Sequence, residues 1–471
     1  MENLGGRRPR TGAPPGPVKL AVVGGGWAGL SAAIRLKQSG HSVVVYESAA
    51  TPGGRARRVP WRSLGVDIDN GQHILLGAYA ATLGLMDELG LEQEAMFHRM
   101  PLSIESADGG FRLKAPRIAS PLNLLLGIAG ARGMRAGERM SLIAAVARLR
   151  LSGWRTSADA TVGDWLAETR QSPQMIASFW RPLCVAALNT PVEQASAQVF
   201  AHVLRDSLGG RRSATDMLLP RVDLSALWPD QAVRRLVAGP AGSAAWRPSH
   251  TVRQLSMGNG RIELDGTSYD AVILAANAAS VQTLLTQLPA RPGSADYLDM
   301  LSAFTYLPIA TLTLQLESPW PDPAPMLLLR EDPARLQFGQ WLFNRKAYAK
   351  TPGATEAALL HVVVSDARAL LGHGRQAAIP AIIEQVREQT RHRAPMPKVL
   401  KQHLIVEKRA TFAAVPGLRR PPNSTPWPGI WVAGDWTDTS YPAVLEGAVI
   451  SGKRAAEALM SAFRGQTPFE V

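Results

Sequence analysis

Three glycines, Gly24, Gly26 and Gly29, hold the spacing G-x-G-x-x-G within "KLAVVGGGWAGLSAAIRLKQSGHSVVVYE", and Glu47 lies 18 residues beyond the last of them. These residue types at this spacing do binding chemistry. The first glycine permits a tight turn, the second lets backbone approach a diphosphate, and the third allows close packing of helix on strand. An acid at the distance of Glu47 accepts hydrogen bonds from an adenosine ribose. A second set follows in "TPGGRARR", where Gly53 and Gly54 let the chain pass close to a ligand and Arg55 can pair with a diphosphate or a ring edge. Alone, that tripeptide would be read as an exposed turn with a surface arginine; following Glu47 by only a few residues, it is read as a cofactor contact. A third set lies far along the chain in "GIWVAGDWTDTSYPAVLEGAVISG", where Gly434 and Asp435 end an apolar run.

Such residues need elements to hold them. Leu20 to Val23 reads as a short buried strand, the segment after Gly26 as a helix with Leu30, Ala33 and Ile34 on one face, and Val43 to Tyr46 as a second strand. Ile430 to Ala433 reads as a further strand, and Pro442 as a residue of the first turn of a C-terminal helix. The amides of Ala443, Val444 and Leu445 then form a donor-rich positive end. That end suits the N1 and C2 carbonyl of a reduced flavin, whereas a nicotinamide offers no matching anion. The glycine turn alone leaves NAD and FAD open; with the other two sets the expected cofactor is FAD, with Asp435 against its ribityl or pyrophosphate part. Glu446 is either an acid of the site or a partner for local amides, and Ala448, Ser451 and Gly452 have the look of close-packing positions.

The bulk composition narrows the setting. A chain of 471 residues suggests two or three domains, and 46% apolar residues supply their cores. The single cysteine, Cys184, excludes an internal disulfide or a cysteine metal cluster, so a cytoplasmic location and no metal are expected. The net charge of +13 comes mostly from scattered arginines rather than a basic run beside aromatics, which speaks against nucleic acid and leaves an anionic membrane face as a candidate partner. Residues 1–18 read as a disordered leader. The apolar stretch Ile118 to Ala131 is shorter than the roughly 20 residues a spanning helix needs.

"GGGWAGLSAAIRL", "YE", "GGR" and "AGDWTDTSYPAVLEGAVISGKRAA" together resemble the FAD-dependent amine oxidase and phytoene desaturase superfamily. Within it, "DIDNGQHILLGAY", "FWRPLCVAALNTP", "ASAQVFAHVLRDSLGG", "LLPRVDLSALWP" and "EKRATFAAVPG" resemble the squalene-associated branch, the hydroxysqualene dehydroxylases of hopanoid synthesis. The likeness runs from about Lys19 to Glu457. It implies an α/β fold: a Rossmann-like FAD-binding domain of the GR2 type, with an interleaved α+β substrate domain. It also implies FAD contacts at Gly24, Gly26, Gly29, Glu47, Gly54, Arg55, Gly434, Asp435 and Leu445, and an adenine contact through the backbone around Val252, on a strand near "HTVRQL". In "YDAVILAANAA" the family's usual proline is replaced by Asn277, which puts local geometry in question.

With both ends and a middle section building one unit, the FAD-binding domain is expected at 19–77, 235–290 and 400–471, and the substrate domain at 78–234 and 291–399. Within the latter, "NLLLGIAGARGMRAGERMSLIAAVARLRL" is either an interfacial membrane segment or an ordinary surface helix, and an isoprenoid substrate favours the former. The resemblance implies reduction of hydroxysqualene to squalene by FADH2: the allylic hydroxyl leaves as water and a hydride quenches the cation. The protein must then provide a dry apolar tunnel and a proton donor. His73, beside Asn70 and Gln72, is the first candidate, with Asp206 and Asp438 behind it, although such residues beside glycines commonly satisfy turns. No second glycine fingerprint marks a nicotinamide site, so the electron donor is unassigned. Two other readings are a carotenoid-type desaturase and, outside catalysis, a prenyl-lipid carrier; the intact cofactor motifs argue against the carrier.

Overall fold

Lys19–Val23 is apolar after its first residue, and those four residues are buried. Such a run belongs to a strand covered on both faces. It lies in the middle of a five-stranded parallel sheet with the order Ala244–Arg247, Ser42–Tyr46, Lys19–Val23, Ala271–Leu274, Ile430–Val432. The computed structural model of the chain describes residues 18–239, 244–258, 260–349 and 358–465, so all but the last residue of the expected leader lies outside the described residues. Each buried aliphatic side chain of this sheet contributes roughly 2 kcal/mol of hydrophobic stabilisation.

The helices Trp27–Gln38 and Leu445–Gly465 cross with little space between them. A Cβ on Gly452 would stand 2.1 Å from the Ala28 carbonyl oxygen, and the Ser31 hydroxyl donates to the Val449 carbonyl at 3.0 Å. The small residues expected to pack closely thus do so, and they fasten the two ends of the chain together. Asn277 also has a clear purpose. Its side chain accepts the Ser280 N–H at 3.0 Å and caps the helix Ala278–Leu285, a task proline cannot perform.

A second, antiparallel sheet has the order Met326–Leu328, Trp341–Asn344, Leu359–Val364, Tyr306–Leu316, Val399–Phe412. Strand alternation divides its side chains between two cores. Ala310, Leu312, Leu360 and Val362 pack with Ile382 and Val386 of the helix Arg375–Gln389. Met326, Leu328, Trp341, Phe343 and Val363 instead join a large cluster that includes Val23, Phe412 and Trp436. This second face is therefore turned towards the nucleotide sheet.

The strand Val399–Phe412 belongs to the second sheet, so the expected domain boundary at residue 400 falls inside it. Its pairing with Tyr306–Leu316 is long-range and leaves no mark in the local sequence. The expected strand near "HTVRQL" is displaced too. The parallel strand is Ala244–Arg247, a separate antiparallel strand starts at Leu255, and Val252 lies in the irregular stretch between them.

Candidate cofactor and active site

The nucleotide turn is built as its glycines require. Gly24 has φ +118°, a region closed to ordinary L residues, and its N–H donates to the Tyr46 carbonyl at 2.7 Å. A Cβ on Gly29 would lie 1.9 Å from the Gly24 carbonyl oxygen. Gly53 donates its N–H to the Gly25 carbonyl at 2.9 Å, so the Gly53-Gly54-Arg55 segment runs alongside the turn. Gly26 caps the helix Trp27–Gln38 with no side-chain hydrogen bond and no acid in the first turn. The dipole end is left for an anion, which suits a diphosphate.

Glu47 is buried, and its carboxylate accepts the N–H groups of Gly25 at 2.6 Å and Ala49 at 2.7 Å. It shapes the turn, and a carboxylate has further lone pairs to offer a ligand. Val252 follows closely in space: the His250 N–H donates to the Glu47 carbonyl at 2.8 Å.

The far end of the chain meets this turn through one ion pair. Arg55 donates to Asp435 Oδ1 at 2.6 Å and to the Ala410 carbonyl at 2.7 Å. Gly434 donates its N–H to the Ser451 hydroxyl at 2.9 Å. The loop beyond is gathered by Arg420, which donates to the carbonyls of Asp435 at 2.6 Å and Trp436 at 3.3 Å, and to those of Thr437 and Tyr441. Burial brings the Arg420 guanidinium down to about 10, with Asp435 and Asp438 pulling the other way. Arg420 lies in "LRRPPNSTPWPG", where nothing local marks one arginine of the pair as buried, so the sequence by itself does not single it out.

The C-terminal helix begins at Leu445, so Pro442 precedes it instead of lying in its first turn. The Val444 N–H is already spent on the Pro442 carbonyl at 2.8 Å. Leu445 and the amides after it have no partner inside the helix and remain the donor-rich end. Glu446 serves another helix: its carboxylate accepts the N–H groups of Ala81 at 2.7 Å and Thr82 at 2.9 Å, at the start of Ala80–Glu88. Burial pushes this carboxyl above its ordinary value, and the Thr82 and Ala81 bonds oppose the shift.

The three candidate acids occupy different surroundings. His73 lies near Arg55; burial first, and then that guanidinium, hold its imidazole below the ordinary range against the opposing Gly71 bond. Its Nδ1 donates to the Gly71 carbonyl at 2.9 Å, which leaves Nε2 as an acceptor in the neutral ring. Asp206 pairs with Arg205 at 2.7 Å and stands beside the Tyr441 hydroxyl. Asp438 is exposed.

A polar group that sequence reasoning did not assemble extends from His73 across the second sheet. The Tyr348 hydroxyl donates to Gln72 Oε1 at 3.2 Å, and the Arg345 guanidinium stands 5.7 Å from the Tyr348 ring centre. His361 Nδ1 and the Thr313 hydroxyl are 3.0 Å apart on neighbouring strands, and burial takes this imidazole down to about 3. Asp69 accepts the Leu224 N–H at 2.7 Å, and burial pushes its carboxyl up to about 7 while Arg345 and that bond oppose the shift.

A family model described as flavin containing amine oxidoreductase matches residues 27–460. The chain belongs to that family. This amine oxidoreductase family member is an FAD-dependent oxidoreductase. It is 29% identical to the hydroxysqualene dehydroxylase of Rhodopseudomonas palustris, over 94% of this chain and 98% of that protein. It is 23% identical to the 15-cis-phytoene desaturase of Narcissus pseudonarcissus, over 94% of this chain and 79% of that protein. Cyclohexylamine oxidase from Brevibacterium oxydans shares the fold at a TM-score of 0.68 and 17% identity, over 95% of this chain and 99% of that one. The family's cofactor fits what the residues provide: an uncapped helix start for the diphosphate, a buried acid for the ribose, and free first-turn amides for the ring.

Proposed function

We propose that the protein reduces hydroxysqualene to squalene, in squalene and hopanoid biosynthesis. In this reading Gly24, Gly26, Gly29, Glu47 and Val252 hold the adenosine and diphosphate half of FAD, and Gly54, Arg55, Gly434, Asp435 and Leu445 hold the rest. When bound and reduced, the flavin supplies a hydride. The chain's own residues do everything else. The observation that carries the reading is the inner face of the second sheet, where Met326, Leu328, Trp341, Phe343 and Val363 make an apolar wall interrupted by one polar group. A long hydrocarbon with a single hydroxyl has that same division. The apolar wall excludes water, so a developing allylic cation is not captured by it.

The departing hydroxyl needs one proton to leave as water. His73 is the proposed donor, in its imidazolium form, because of the three candidates it alone faces Arg55 and thus the flavin end. Asp438 lies instead in the loop before the C-terminal helix, and Asp206, on the helix Ala197–Leu208, meets that loop at Tyr441. Likeness to a phytoene desaturase supports a second reading, removal of hydrogens from a polyene precursor. Anaerobic incubation with reduced flavin and hydroxysqualene, followed by mass spectrometry, should yield squalene. Turnover of phytoene with an oxidant, and none of hydroxysqualene, would replace the first reading by the second. No helix among the described residues is long and apolar enough to cross a membrane. Contact with an anionic membrane is proposed as peripheral, and the electron donor is unassigned.

A further inference from the structure

The helix Leu122–Ala129 is packed the wrong way round for a helix that meets only water. Asn123 and Gly127 face inward and are buried, and both amide atoms of Asn123 lack a partner among the described residues. Leu122 and Leu126 are each 56% exposed, with Leu125 at 39% and Ile118, just before the helix, at 38%. Leu122, Leu125 and Leu126 stand at i, i+3 and i+4, so they share one face. A close approach fixes this orientation: a Cβ on Gly127 would stand 3.1 Å from Ala115 Cα, so only the glycine side can rest on the strand Arg112–Lys114 and its continuation. Turning the leucines inward would lift the helix away.

The chain segment that carries this face bears one sign of charge. Between residues 112 and 137 the chain holds Arg112, Lys114, Arg117, Arg132 and Arg135, all exposed, and no Asp or Glu. Arg112 has a distant partner in Glu105 at 3.6 Å. We propose that the Leu122–Ala129 face docks on an anionic phospholipid bilayer, with its leucines at the acyl boundary and the flanking cations at headgroup phosphates. Charge argues for this occupant over a second copy of the chain. In a twofold pair the same basic segment would meet itself, whereas an anionic bilayer neutralises it. The longer helix Ala136–Leu151, expected to share in such contact, carries arginines on several sides and offers no comparable face. The choice of a bilayer rests on the isoprenoid reading of the substrate, since such a molecule resides in lipid.

The test is flotation of the flavin-loaded protein with vesicles of phosphatidylcholine alone or mixed with phosphatidylglycerol. Wild type should float with the mixed vesicles and be released by salt. Leu122→Asp/Leu126→Asp should bind at least about tenfold less, with flavin absorbance and thermal midpoint retained. Arg132→Glu/Arg135→Glu should lose the preference for anionic vesicles, and this variant decides the matter if the leucine variant fails to fold. Equal flotation of variants and wild type, or no flotation of wild type, overturns the proposal. So does a wild-type dimer that the leucine variant converts to monomer without any vesicle binding. Turnover measured in detergent keeps the two readings apart: no squalene there sinks the substrate assignment, while the flotation result stands on its own.

Discussion

The nucleotide turn and the polar group on the second sheet are both sites of close contact, yet they are made in different ways. The turn is local: Gly24, Gly26, Gly29 and Glu47 lie on one strand-turn-helix-strand unit, and its hydrogen bonds run mostly between backbone atoms and one carboxylate. The polar group draws Asp69, Gln72 and His73 from one segment, Thr313 and His361 from two strands, and Arg345 and Tyr348 from the short 3-10 helix Arg345–Ala347 and its C-cap. Its members meet only because the second sheet turns one face towards the first. A binding site made of backbone shape is thus written in spacing, while a site made of side-chain environment is written in the packing of distant elements.

The largest expected effect lies in the assembled region. Removing a true proton donor should cost about 10²- to 10⁴-fold in turnover while leaving the flavin bound. His73→Ala is expected to do this. Because the His73 imidazole is held low, wild-type turnover should fall as pH rises, with the decline beginning below the ordinary imidazole range. A His73→Ala enzyme of full activity, with wild-type turnover holding until about pH 7 and lost in Asp69→Asn, would transfer the role to Asp69, whose carboxyl burial pushes up to about 7.

A middle-sized effect tests the link between the two ends of the chain. Asp435→Asn leaves Arg55 half-buried without its partner and should lower stability by about 2–3 kcal/mol, with slower or incomplete flavin retention. Denaturation of Arg55→Met, Asp435→Asn and the double variant should reveal a coupling of about 1–3 kcal/mol. Additive losses would mean that the pair is a contact without an energetic bond between the chain ends.

The smallest effect concerns Glu446, which belongs to the first turn of the C-terminal helix and yet serves the start of a different one. Glu446→Gln keeps the shape and one acceptor but loses charge, so about 1 kcal/mol should be lost in urea denaturation, with turnover unchanged. A collapse of turnover at unchanged stability would move Glu446 into the reaction.

Periodicity and spacing by themselves determined the first strand, turn, helix and second strand, and the small-residue face of the C-terminal helix. These follow from steric rules acting over a few residues, which no distant partner can alter. Tertiary structure alone decided that the Val399–Phe412 strand joins the second sheet, that Arg420 is buried among loop carbonyls, that Glu446 serves the Ala80–Glu88 helix, and that the leucines of Leu122–Ala129 point outward. The reason is physical. Burial sets the ionisation of Asp69 and His73 and the pairing of Arg55, and burial depends on what arrives from elsewhere in the chain.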